Sequence, residues 1–173
     1  MDYSVVTVQR TGSHYLVELI FQYTGIQIDK YHEPQDTKMI TIVRDPRDTV
    51  CSQLAMELLH KDKIETDGYI NDLVEYNTWL YESLMDADII IDYDDLINYP
   101  YETTKEILNI MGLKMNDSVY LNRLVDREQD NYWVTSKNSK DYRQVQEIVD
   151  TIDLSRMHKV CNKMLLKAIK ITH

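Results

Sequence analysis

The chain has 173 residues, enough for one domain around a single sizeable core and short for two. Hydrophobic residues at 43% and charged residues at 28% place it among soluble globular proteins and exclude disorder as its main state. A formal net charge of -10 excludes general nucleic-acid binding, which needs clustered Lys and Arg, so any anion site has to be local.

Cys51 and Cys161 lie far apart in sequence without CxxC or Cys/His ligand spacing, which argues against a disulfide framework or a zinc site and for a reducing compartment. The N-terminus lacks a basic region ahead of its apolar run, and no stretch reaches about 18 uninterrupted apolar residues. The expectation is a cytoplasmic protein with neither a signal peptide nor a membrane span.

In chain order, residues 3–8 (YSVVTV) form a β-branched run that predicts a buried strand, followed at once by the turn QRTGS. A helix begins near Ser13, with Leu16, Leu19, Ile20 and Tyr23 at three/four spacing and Gly25 placed as its C-cap. Residues 26–31 read as a short second strand. Residues 39–43 (MITIV) are another buried strand, closed by RDPRD and followed by a helix over 49–60. Asp67 caps a helix over 68–84, and residues 88–91 (DIII) form a further strand ending in DYDD. Pro100 suits a first helical position, opening a helix over 101–111 that Gly112 closes. The last third reads as mostly helical, over 117–126 and over 145–171 with a break near Asp153, around a polar loop at 127–141. Strand-helix repeats from the N-terminus predict one domain over 1–173, a three-layer α/β/α fold around a mainly parallel sheet.

Ligands of such folds bind beyond the carboxyl ends of strands, where loops lead into helix N-termini, and two segments there carry suggestive chemistry. Gln9-Arg10-Thr11-Gly12-Ser13-His14 joins the first strand to the first helix. Its amides and the positive end of the helix dipole can face an anion. Gly12 permits close backbone approach, and Arg10, Thr11, Ser13 and His14 offer side-chain donors to phosphate oxygens. Thr-Gly-Ser taken alone reads equally well as a turn and helix cap. No Lys precedes the hydroxyl residue, which disfavours a Walker-type nucleotide hydrolase. In the second segment Arg44 directly follows its strand and Ser52 lies about one helical turn beyond the loop, so both can reach one phosphate. Asp45 and Asp48 serve to order that loop.

Together VQRTGSHYL and VRDPRDTVCS resemble the 5'-phosphosulfate and 3'-phosphate motifs of sulfotransferases that use 3'-phosphoadenosine 5'-phosphosulfate (PAPS). IIIDYDDLINYPYETTKEILNIMGL resembles the strand, YEDL turn, proline and helix of the same family, so the resemblance runs in order over residues 3–113. It implies a P-loop, sulfotransferase-like fold and a PAPS cosubstrate leaving as PAP, with no metal. Arg10 takes the place of the residue contacting the 5'-phosphate and the bridging oxygen. Arg44 and Ser52 take the place of the 3'-phosphate ligands, and Tyr93 lies near the nucleotide or is a strand-end aromatic.

Lys30-Tyr31-His32-Glu33-Pro34 resembles the KTH-x-P element that carries the family's general base. His32 is then the base on the acceptor, Glu33 the alternative base, and Lys30 an aid to the transferring sulfuryl group, unless the segment is a solvated loop. His60, His158 and His173 have no motif partner. Gln9 replaces a usual Pro and His14 a usual Thr. Residues 136–143 (SKNSKDYR) keep only the basic character of the family's loop over the 3'-phosphate. Lys137 and Lys140 are candidates to close over the nucleotide, against a plain solvated loop. Tyr132 and Trp133 are expected to anchor the C-terminal helices rather than line an acceptor pocket.

The leading expectation is a sulfotransferase acting on a hydroxyl or amine of a small molecule, glycan or protein. The alternatives are a sulfotransferase-like binding or structural protein without catalysis, and a P-loop small-molecule kinase.

Overall fold

The computed structural model describes residues 2–60, 67–116 and 140–171. Four strands, β1 (Tyr3–Val6), β2 (Lys30–Tyr31), β3 (Lys38–Val43) and β4 (Ile89–Asp92), form one sheet in the order β2-β1-β3-β4. Every pairing is parallel, with Val5 opposite Lys30 and Ile40, and Ile40 opposite Ile89. The described helices are α1 (Ser13–Thr24), α2 (Pro46–His60), α3 (Asp67–Ser83), α4 (Tyr93–Asn98), α5 (Pro100–Ile110), α6 (Lys140–Val149) and α7 (Ser155–Leu165).

Continuous β-branched runs suit strands buried on both faces, and here the alternate residues enter two separate cores. Val5, Ile40, Ile42, Ile89 and Ile91 pack with Leu16, Leu19 and Ile20 of α1 and with Leu96, Ile107 and Leu108 of α4 and α5. Val6, Val43 and Ile90 pack with Val50 and Leu54 of α2, Leu80 and Tyr81 of α3, Val145 of α6 and Met157 of α7. The chain is therefore α/β, with helices on both faces of a parallel sheet, an arrangement compatible with three α/β/α layers. Both cysteines are buried free thiols, and burial pushes Cys51 up to about 11 and Cys161 up to about 12.

Several boundaries differ from expectation for local reasons. β1 stops at Val6, and the turn beyond it is closed by the Thr11 hydroxyl donating to the Val8 carbonyl (2.8 Å). The second strand shortens to Lys30–Tyr31, while Ile28 enters the core ahead of it. RDPRD is not all loop: α2 starts at Pro46, with Asp45 Oδ1 accepting from the Asp48 amide (3.0 Å) as an N-cap. DYDD contributes to α4, capped by Asp92, whose side chain accepts from the Asp94 amide. The C-terminal break falls at Asp153, whose Oδ1 accepts from the Ser155 amide (2.9 Å) and opens α7. Lys140 and Asp141, expected in the polar loop, are helical in α6. The helix expected over 117–126 and the loop over 127–139 lie outside the described residues. Among those described, no helix is long and apolar enough to cross a membrane.

The packing predicts a clear contrast in stability. Ile42→Ala, in a fully buried position, should lower unfolding free energy by about 2–5 kcal/mol in a urea titration. Arg156→Ala, which removes an exposed ion pair to Glu82, should change it by less than about 1 kcal/mol.

Candidate functional site

In the order β2-β1-β3-β4 the chain leaves β1 to one side for β2 and returns past it to β3. The boundary between β1 and β3 is a topological switch point, where the loops diverge and leave a crevice at the carboxyl ends. Both motif loops open there, 7–12 after β1 and 44–45 after β3, with Tyr93 immediately after β4 on the far side of β3.

Two residues of the first loop adopt left-handed backbone, Arg10 at φ 67 and Gly12 at φ 89. A left-handed arginine costs roughly 1–3 kcal/mol, so surrounding contacts must impose it. One is direct: Arg44 Nη1 donates to the Arg10 carbonyl at 2.8 Å. Gly12 is the N-cap of α1 and provides no side-chain cap, leaving the first-turn amides to face outward partners. Space is tight as well, since a Cβ there would sit 3.2 Å from Cε2 of Tyr93 and the ring would have to give way.

Arg44 is the centre of the second loop. It is buried, its guanidinium lies 4.5 Å from the centroid of the Tyr93 ring, and its Nη2 is 3.9 Å from Asp48 Oδ2. Its Nε is buried without a hydrogen-bond partner among the described residues. Arg10 turns back to donate from Nε to Ser52 Oγ at 3.3 Å, so Arg10, Arg44, Ser52, Gly12 and Tyr93 form one connected group. Asp48 also accepts from the Tyr142 hydroxyl (3.2 Å), which brings α6 against the start of α2. The Thr11 hydroxyl is spent inside the loop on Val8, leaving only its backbone amide for a ligand.

A cleft of about 270 Å³ lies beside this group, lined by Gln9, Arg10, Gly12, Ser13, His14, Lys30 and His32. Lys30 in β2 and His32 just beyond it both line this cleft. His32 Nδ1 lies 2.8 Å from the Thr7 carbonyl, which can only accept, so the neutral ring carries its proton on Nδ1 and keeps a lone pair on Nε2. The Tyr76 hydroxyl donates to the His32 carbonyl at 3.0 Å and fixes the backbone as well. Glu33 is exposed and does not line this cleft.

His14 faces Lys30 across the cleft, with Nζ 2.6 Å from Nε2. Burial, together with the charges of Lys30, His32 and Arg10, holds the His14 imidazole below its ordinary range, so the neutral ring accepts from the lysine. Burial likewise lowers Lys30. The structure thus brings together Arg10, Gly12, Ser13, His14, Lys30 and His32 around one cleft, with Arg44, Ser52 and Tyr93 joined to it through Arg10. Lys137 lies outside the described residues, as do Tyr132 and Trp133.

A second cavity of about 490 Å³ shares Gln9 and Arg10 and continues between α2 and α3 along Gln53, Met56, Glu57, Tyr69, Leu73, Tyr76 and Asn77. Gln53 and Asn77 exchange hydrogen bonds, Asn77 Nδ2 to Gln53 Oε1 at 2.7 Å and Gln53 Nε2 to Asn77 Oδ1 at 3.3 Å. Sequence reading gave these residues no role. The spacing of 69, 73, 76 and 77 marks a helix face, yet nothing in sequence says that this face meets residues 53–57.

No protein-family model matches the chain, and none of the curated proteins compared with it is similar to it.

The His14–Lys30 contact makes a spectroscopic prediction. Followed by NMR, His14 should titrate below the ordinary 6.5, and Lys30→Gln should move its midpoint upward by removing a neighbouring positive charge. A midpoint unmoved by the substitution would show that the two side chains are not in contact.

Proposed function

We propose that the chain is a PAPS-dependent sulfotransferase with a sulfotransferase-like P-loop fold, moving a sulfuryl group to a hydroxyl or amine acceptor. The observation that carries this reading is the joining of the two motif loops. Arg44 Nη1 reaches the Arg10 carbonyl at 2.8 Å and Arg10 Nε reaches Ser52 at 3.3 Å, linking two short motifs that are separate in sequence. The donor set fits an anion with more than one phosphate. It contains two guanidinium groups, a hydroxyl and uncapped helix amides, and the buried Arg44 Nε has no partner among the described residues.

On this reading Arg44 and Ser52 hold the 3'-phosphate, while Arg10 and the amides after Gly12 hold the 5'-phosphosulfate. PAPS supplies the sulfuryl group, whose bond to the phosphate oxygen breaks as the bond to the acceptor atom forms. His32 Nε2 takes the acceptor proton, because its Nδ1 is committed to Thr7. Arg10 and Lys30 place positive charge on the same cleft, where charge builds on the leaving oxygen. His14 accepts from Lys30 and aims it, so its role is to position that lysine. An intracellular, reducing setting goes with the two buried free thiols.

Calorimetric titration with PAP, ADP and ATP, without metal, tests the reading. PAP should bind with clear preference over ADP and ATP, and equal or absent binding of PAP would refute it. Arg44→Ala should weaken PAP by roughly 10- to 150-fold, the equivalent of about 1.5–3 kcal/mol for a charge-assisted contact. His32→Ala should leave PAP affinity intact and abolish transfer to any accepted substrate; retained turnover would move the base elsewhere. PAP binding without turnover across an acceptor screen would favour the non-catalytic reading.

A further inference from the structure

The second cavity adjoins the phosphate cleft through Gln9 and Arg10, and its far wall differs in chemistry from the near one. Among the described residues its charged lining consists of Arg10 at the shared end and Glu57 on α2. Arg10 is turned toward Ser52, and the Gln53–Asn77 amides are committed largely to each other, with Gln53 Nε2 also 3.3 Å from the Gln9 carbonyl. Glu57 is half-buried, and its Oε1 accepts from the Tyr69 hydroxyl. Tyr69 and Tyr76, about two turns apart on α3, add aromatic faces, and Met56 and Leu73 add apolar surface.

A wall carrying a carboxylate and two tyrosine rings repels anions and attracts a cation, so the cavity is unsuited to a further phosphate of the nucleotide. Ser52, beside Arg10, and Glu57 are five residues apart on α2, which separates their backbone positions by about 7.5 Å along the helix axis. The net charge of -10 adds a long-range field of the same preference.

We propose that this cavity is the acceptor site and that the acceptor is a small hydroxyl-bearing amine with an aromatic or apolar body. Its ammonium group rests on Glu57 between Tyr69 and Tyr76, and its hydroxyl lies at the Arg10 end, toward His32. The proposal rests on the sulfotransferase reading for the purpose of the cavity, while the cation preference rests on the cavity wall alone.

Three probes that share a ring and a hydroxyl and differ in the charge of the tail test it: tyramine, p-cresol and 4-hydroxyphenylacetate. Each is titrated calorimetrically into the full chain, with and without saturating PAP. Tyramine should bind at least about tenfold tighter than either of the others, the difference expected of one charge-assisted contact. Glu57→Gln should remove that preference, leaving p-cresol unchanged, and Glu57→Asp should retain most of it. A thermal melt checks that each variant is folded. Tyr76→Ala, at an exposed position, gives a second reading and should weaken tyramine alone. Equal binding of the three probes, a preference for the carboxylate, no binding of any probe, or a preference that survives Glu57→Gln would overturn the proposal. PAP binding reported in the same series separates the two failures. If PAP binds and tyramine is not preferred, only the acceptor assignment falls. If PAP does not bind and tyramine is preferred through Glu57, the cation site stands and the sulfotransferase reading falls.

Discussion

A single buried guanidinium ties together the segments that follow the carboxyl ends of three strands. Arg44 leaves the end of β3, donates to the Arg10 carbonyl beyond β1, and stacks over Tyr93 at the start of α4 beyond β4. A buried charge is unfavourable unless paired and hydrogen-bonded, so these contacts and the Asp48 carboxylate at 3.9 Å are conditions for keeping it inside. They leave Nε without a protein partner among the described residues, and a buried donor of that kind is most stable when an anion meets it. The same contact imposes the left-handed turn at Arg10, which in turn aims the first-loop amides. Conformation of one loop and charge of the other are thus one constraint.

The cleft beside this group sorts its ionisable residues by their hydrogen bonds. Two imidazoles line it, and their environments assign them different work. His32 is tied through Nδ1 to a carbonyl and presents a free Nε2 lone pair, whereas the Nε2 of His14 is occupied by Lys30. Burial lowers both His14 and Lys30, and the positive charges of Lys30 and Arg10 lower His14 further, so its ring remains an acceptor. A histidine at position 14 therefore has a local use, since a shorter side chain such as threonine would not reach across to Lys30 in the same way.

A strongly acidic chain and the proposed polyanionic cosubstrate are compatible because three cations are gathered in one place. Arg10, Lys30 and Arg44 gather at the strand ends, while carboxylates are engaged locally, Asp45 and Asp92 as helix caps and Asp150 in a surface pair with Arg47. On the proposed reading the acidic balance acts on the acceptor side, where the α2–α3 cavity presents Glu57 and tyrosine rings.

The sequence by itself determined the strand-helix alternation, because apolar runs and three/four spacing depend on neighbours in the chain. It also marked the loop residues Arg10, Gly12, Arg44 and Ser52, since turns and helix starts are local chemistry. It misplaced the start of α2 and left α4 within a turn, because Asp-Pro and DYDD are ambiguous between turn and helix cap until the packing of Leu96 and the capping by Asp45 and Asp92 decide. Only tertiary structure decided that Thr11 is used inside its own loop, that His14 belongs to Lys30, that Glu33 stands outside the cleft, and that residues 53–57 face 69–77. Each of these depends on which side chain meets another across the sheet end or between helices, and a linear pattern fixes the face a residue shares but not the partner that face will find.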